Sequence, residues 1–159
     1  MTGMSKIVKT IANIAFPFTL IFGLYIIAHG HLTPGGGFQG GAVVASALAM
    51  LLIAHGSPWV LNKVKKKHLS AFESIGALGF ILLALSGLFV GGVFFKNFLT
   101  GSSIFGEIPE RLSTAANFNT GGVIPLMNFA VGLKVIAGLF AIVLVMAYAT
   151  RDSSKEVKR

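Results

Sequence analysis

The stretch GGVIPLMNFAVGLKVIAGLFAIVLVMAYA, residues 121–149, decides the fold class of this chain. It is apolar and long enough to cross a bilayer, which takes about 20 residues as a helix. Lys134 is the one charged residue within it. An ammonium group near the bilayer centre costs roughly 2.5–3.5 kcal/mol on insertion scales. We therefore expect Lys134 to have a partner charge, a water-filled path or a proton to transfer.

The composition extends this interpretation to the whole chain. Hydrophobic residues make up 54% and charged residues 11%, and the mean hydropathy is +0.82. A soluble domain has about 25% charged residues. We predict one all-α, polytopic membrane domain, residues 1–159, with four transmembrane helices at about 8–28, 35–54, 72–95 and 122–149. The chain has no cysteine, which excludes thiolate metal sites and cysteine nucleophiles.

The basic residues indicate how the chain is oriented. Ten of the 13 lie at or before the start of the first span, between the second and third, or after the fourth: Lys6, Lys9, Lys63, Lys65, Lys66, Lys67, Arg151, Lys155, Lys158 and Arg159. Positive charge accumulates on the cytoplasmic side of membrane proteins. We therefore predict a multi-pass protein of the cell membrane with both termini cytoplasmic. The net charge of +8 follows from this topology, so nucleic-acid binding is not expected.

A glycine-rich block precedes the second span. Thr33 resembles an N-cap and Pro34 a first helical residue. Small residues let helix backbones approach closely in membranes. We predict close helix packing at six positions: Pro34, Gly35, Gly36, Gly37, Gly40 and Gly41. A passage for ions or water lined by backbone is the alternative. The block also matches a dinucleotide-binding pattern, but no strand precedes it.

Three further polar residues are candidates for an ion or proton path. His29 and His31 lie at the end of the first span, and imidazole exchanges protons near neutral pH. A polar turn or a metal-binding pair are the alternatives for these histidines. Glu73 falls in a pattern, Ser70 to Glu73, typical of a capping box at the start of the third span. Glu73 is thus either a capping residue or a residue that handles ions.

Lys134 has small residues three and four positions away, including Ala130 and Gly138. A partner helix can therefore come close to it. We expect no carboxylate of this chain at mid-membrane depth, so the counter-charge is expected from another subunit, from water or from loss of the proton. An ion pair between subunits and a proton or cation path both remain open.

Two stretches resemble the MnhB/MrpB family, small subunits of Mrp-type multisubunit cation/proton antiporters. They are GLYIIAHGHLTPGGGFQGG, residues 23–41, and NFAVGLKV, residues 128–135. The residues of the first stretch resemble those of the corresponding subunits in archaeal membrane-bound hydrogenases and sulfane reductases, which join an Mrp-like module to a redox arm.

The resemblance implies a non-catalytic subunit of a Na⁺/H⁺ exchange complex, without a cofactor and surrounded by other membrane subunits and lipid. Lining the ion route and serving as a structural scaffold are the two functional hypotheses. An enzyme active site is not expected, because no clustered carboxylates or serine–histidine arrangement occur within the spans.

Overall fold

The computed structural model of the protein describes residues 3–32, 34–64, 66–100 and 121–156. Over these residues the chain is all-helical, and its helices are α1 (Lys6–His29), α2 (Gly37–His55), α3 (Ser57–Lys63), α4 (Lys66–Gly91) and α5 (Ile124–Glu156). All except the short α3 are long and apolar enough to cross a membrane. The predicted all-α class with four membrane-spanning helices is confirmed.

Local sequence explains where several helices begin and end. The side chain of Ser5 accepts a hydrogen bond from the backbone N–H of Val8 and so caps α1. Gly92 follows α4 with φ +69°, a conformation that glycine adopts without the steric cost of a side chain. Its N–H donates to the carbonyl of Leu88 at 2.9 Å. The seven-residue α3, which the sequence pattern did not predict, starts after Gly56 at φ +88°.

The long helices lie in a row in the order α1, α2, α5, α4. Each packs against the next, and α1 also touches α5. Among the described elements, α4 packs against α5 and no other helix. Along the direction of the helix axes, one end of the fold holds the ends of α1 and α4 and the starts of α2 and α5. We call it the His31 end. Helices in a row leave broad faces of α1 and α4 uncovered by this chain.

The start of α5 is held by Asn97, which follows α4. Its side-chain amide donates to the carbonyl of Gly121 at 3.0 Å, and its side-chain oxygen accepts from the N–H of Val123 at 2.8 Å. One side chain thus joins the segment after α4 to the segment before α5. These two hydrogen bonds fix where the fourth span enters the row.

The main cluster of buried apolar side chains lies at the end of the row opposite the His31 end. Its members are Leu52, Val60, Leu69, Phe140 and Leu144. Many other large apolar side chains are exposed, among them Ile7 at 72%, Phe18 at 70% and Phe89 at 86%. A soluble monomer rarely exposes so much contiguous apolar surface. The exposed faces therefore suit lipid chains or the helices of other proteins.

Candidate functional site

Lys134 lies deep in α5. It is about 15 Å along the helix from Ile124, at about 1.5 Å per residue, in a bilayer core about 30 Å thick. Its side chain is exposed on the surface of this chain. Within the part of the chain that the structure describes, its ammonium group has no hydrogen-bond or ion-pair partner. A partner for this charge would therefore have to come from outside the described residues.

Glu73 does not cap a helix, and the capping-box prediction is wrong. Because α4 already begins at Lys66, Glu73 lies beyond the first turn, and that first turn contains no acidic residue. The carboxylate instead lies beside α5, 3.6 Å from where a Cβ of Gly138 would stand. Gly138 is about 16 Å along α5 from Ala149, at about 1.5 Å per residue. Glu73 therefore lies within the part of α4 that is long and apolar enough to cross a membrane, about one turn of α5 from Lys134.

Glycine brings α4 and α5 together at this point. A Cβ on Gly76 would stand 2.8 Å from the backbone nitrogen of Lys134 and 2.7 Å from the carbonyl oxygen of Ala130. Real Cβ atoms essentially never come so close, so only glycine fits there. Since Gly76 faces Lys134 and Glu73 faces Gly138, the two charged residues share one helix interface, about one turn apart. We call Glu73 and Lys134 the charged pair.

Helix α2 begins later in the glycine-rich block than predicted. Thr33 lies outside the described residues, and Pro34 is exposed and precedes the helix. Gly35 and Gly36 have φ of +147° and +143°, outside the helical range, so α2 starts at Gly37. The predicted helical start at Pro34 is therefore wrong, because the conformation that the chain takes through these two glycines is not helical.

The remaining glycines of the block face two different helices. A Cβ on Gly40 would stand 2.6 Å from the carbonyl oxygen of Gly23 in α1. A Cβ on Gly41 would stand 3.0 Å from the carbonyl oxygen of Gly132 in α5. Gly37 also meets α5, at the carbonyl oxygen of Asn128. The backbone of α2 thus contacts both neighbouring helices closely, with no side chain between them.

The two histidines lie at the His31 end, away from the charged pair. His29 ends α1 and stacks on Tyr25 with ring centroids 4.3 Å apart. The His31 ring lies 3.0 Å from where a Cβ of Gly121 would stand, just before α5. Lys134 is about 14 Å further along the axis than Pro125, the neighbour of Gly121, at about 1.5 Å per residue. The structure therefore does not bring the four predicted path residues into one cluster.

No metal-binding arrangement exists over residues 3–32, 34–64, 66–100 and 121–156. Across these ranges, no three His, Asp or Glu side chains come together as a metal site would require. His29 stacks on Tyr25, one turn back along α1, while the His31 ring lies against the start of α5.

Asn128 is a polar residue that the sequence pattern did not mark as part of the site. Its amide lies between Gly30 and Gly36, and its Nδ2 is buried without a hydrogen-bond partner among the described residues. A polar side chain close to the start of an apolar span was the available signal. Because asparagine is uncharged and near the helix start, an interfacial position was an equally good interpretation.

Comparison with known proteins gives one family. A family model described as a domain related to the MnhB subunit of Na⁺/H⁺ antiporter matches residues 7–141. A Na⁺/H⁺ antiporter subunit from Bacillus subtilis is 32% identical over 120 residues, which cover 72% of this chain and 80% of that protein. An uncharacterized protein of Methanocaldococcus jannaschii is 41% identical over 144 residues, covering 87% of this chain and 52% of that protein.

A solved structure has the same arrangement of helices. It is a chain of the membrane-bound sulfane sulfur reductase, an archaeal respiratory membrane complex, with a TM-score of 0.73 and 33% sequence identity. The match covers 92% of this chain and 59% of that chain. This chain thus spans about half of the archaeal relative and about three fifths of the chain in the reductase.

Proposed function

Because this chain belongs to the family of domains related to the MnhB subunit of Na⁺/H⁺ antiporters, we propose that it is a non-catalytic membrane subunit of a multisubunit, Mrp-type module. In that module it supports or lines the translocation of Na⁺ and H⁺. The surrounding partners are other membrane subunits and lipid. The family match over residues 7–141 and the similarity to the Bacillus subtilis antiporter protein support this assignment.

The charged pair is the observation that supports a role in ion movement. Ionisable residues inside a membrane are expensive and usually line substrate or proton routes. Glu73 and Lys134 lie about one turn apart on the α4–α5 interface, and the Lys134 side chain is exposed beside it. A neighbouring subunit at this face would enclose Lys134 in a polar contact. Lys134 then serves as a charge or proton site on the route.

The test is ion exchange by the assembled complex in everted membrane vesicles. Lys134→Met keeps most of the length of the side chain and removes its charge, so Na⁺-driven proton movement is expected to fall at least about tenfold while native gels show an intact complex. Lys96→Met, an exposed lysine after α4, is the control and is expected to transport normally. Normal transport by Lys134→Met would rule out this role.

A scaffold in a respiratory complex is the second candidate. The similarity to a chain of the sulfane sulfur reductase complex favours it, as does the uncovered face of α4 in the row. In that case the complex that co-purifies with this chain contains redox subunits, of a reductase or hydrogenase type, besides the antiporter-like ones. Mass spectrometry of the gently solubilised complex distinguishes the two cases, since an antiporter alone contains no redox subunit.

We further propose that the His31 end faces outward and that the opposite end, where Lys63 ends α3 and which we call the Lys63 end, faces the cytoplasm. The support is the positive charge around the Lys63 end. Because the chain has no cysteine of its own, a single introduced cysteine is the one position that a thiol reagent can label. An impermeant thiol reagent added to intact cells is expected to label Thr100→Cys and not Lys63→Cys. The reverse pattern would contradict this orientation.

A further inference from the structure

Two polar side chains are left unsatisfied where α1, α2 and α5 meet at the His31 end. Both ring nitrogens of His31 and the Nδ2 of Asn128 are buried, and none has a hydrogen-bond partner among the described residues. Leaving a buried polar group unpaired costs about 1–3 kcal/mol. Native proteins rarely leave such groups unpaired, and ordered water often supplies the partner. Three such atoms in one region therefore call for a bound partner.

The surrounding glycines show that this region is built by the backbone. A Cβ on Gly30 would stand 2.8 Å from the Asn128 Nδ2, and one on Gly36 would stand 3.2 Å from its Oδ1. A Cβ on Gly121 would stand 3.0 Å from the His31 ring. Three glycines from three segments thus bring backbone against these two side chains. We call this region the His31–Asn128 seam.

The donor and acceptor inventory restricts what can bind in the seam. An amide nitrogen only donates, so its partner must accept a hydrogen bond. A neutral imidazole offers one donor and one acceptor, so its partner must both accept and donate. A bare metal cation accepts no hydrogen bond, and a fully deprotonated anion donates none. Water does both, and a buried water typically makes about three hydrogen bonds.

We propose that the His31–Asn128 seam holds bound water, which forms a hydrated site at the His31 end of the fold. This deepens the proposed function, on which any role of the site in ion entry rests. Asn128 is about 9 Å before Lys134 along α5, at about 1.5 Å per residue. The seam therefore brings water part of the way into the span, whereas Lys134 faces α4 on another side of the helix.

Thiol chemistry on the assembled complex tests the proposal without measuring transport. Asn128→Cys is similar in volume, and the thiolate that reacts with methanethiosulfonate reagents forms only where water is present. We expect a small reagent of this class to modify Asn128→Cys about tenfold or more faster than Ala47→Cys. Ala47 is the control because it lies in α2 and is only 2% exposed. Equal rates in intact complexes would overturn the proposal.

Density for the unmodified complex provides the second measurement, which does not depend on a variant that folds. Water is expected within about 3.2 Å of a His31 ring nitrogen and of the Asn128 Nδ2. A dry seam, or one filled by a lipid headgroup or another subunit's side chain, would overturn the proposal. Failure of the proposed function is distinguishable, because Lys134→Met would then transport normally while Asn128→Cys is still labelled.

Discussion

Glu73 of α4 and Lys134 of α5 share one helix interface, about one turn apart. Gly76 lies against the backbone of Lys134, and Gly138 leaves space for the carboxylate of Glu73. One residue that is formally acidic and one that is formally basic thus lie about 6 Å apart along the helix axis. Opposite charges that come together in a medium of low dielectric attract each other. The pair is therefore expected to act as a unit.

A double-mutant cycle tests this coupling. Glu73→Gln and Lys134→Met are each expected to lower Na⁺/H⁺ exchange in vesicles at least about tenfold. The double variant is expected to be no slower than Lys134→Met alone, because residues that act together are not additive. Rates that multiply, to about a hundredfold loss, would show two independent residues. Native gels confirm assembly of each variant.

Two glycines of α4 provide a matched test of the helix contact. Gly76→Ala places a Cβ against backbone atoms of Ala130 and Lys134, which is expected to destabilise the α4–α5 contact by about 1–3 kcal/mol. Gly79→Ala meets only the Cβ of Ala130, at an ordinary 3.7 Å. It is expected to be neutral or to stabilise the helix by up to about 1 kcal/mol.

The melting temperature of the purified complex measures both alanine variants. A lower Tm for Gly76→Ala than for Gly79→Ala is the expected order. If the two melt alike, the close approach of α4 to Lys134 is not present in the assembled protein.

The glycine block gives a third prediction. Gly41→Leu forces a large side chain against Gly132 and Val135, and Gly40→Leu does the same against Gly23 and Ile27. Each is expected to disperse the complex on native gels, because α2 is displaced from its neighbours. Ser46→Leu, an exposed position of the same helix, is the control and is expected to assemble. An intact complex with Gly41→Leu would count against tight packing at this helix.

The two hydrogen bonds made by the Asn97 side chain give a fourth prediction. Asn97→Ala removes two hydrogen bonds that join the end of α4 to the start of α5. A loss of about 1–3 kcal/mol is expected, since the groups at Gly121 and Val123 lose their partner. Asn62→Ala, at an exposed position of α3, is the control. Equal Tm values for the two variants would show that the hydrogen bonds of Asn97 contribute nothing to stability.

The sequence predicted the spans well because length and apolar composition alone determine which helices can cross a bilayer. It misplaced the polar residues, whose depth depends on where helices start. Glu73 resembled a cap because Ser70 precedes it at the right spacing, yet α4 begins at Lys66. Gly35 and Gly36 resembled a first turn, although their positive φ angles keep them outside α2.

The relations between helices were beyond sequence reasoning for a different reason. A glycine at a given spacing can face lipid, a loop or a helix, and the pattern does not distinguish these cases. Gly87 and Gly91 have the spacing of a helix-packing motif, but they face Lys96, which follows the same helix, and not another helix. Gly76 has no other glycine of α4 four positions away, and yet it is the one that meets Lys134. Asn128 lies against Gly30 and Gly36 because of how α5 packs beside the start of α2, which the sequence does not specify.

The environment of Lys134 in the assembled complex is the most direct test of the account. A structure of the complete complex should show an oxygen atom of a carboxylate, a backbone carbonyl or a water molecule within about 3.2 Å of its Nζ. A neighbouring helix should cover the exposed face of α5 at that point. A Lys134 side chain surrounded by lipid chains, with no subunit against α5 or α4, would contradict the account.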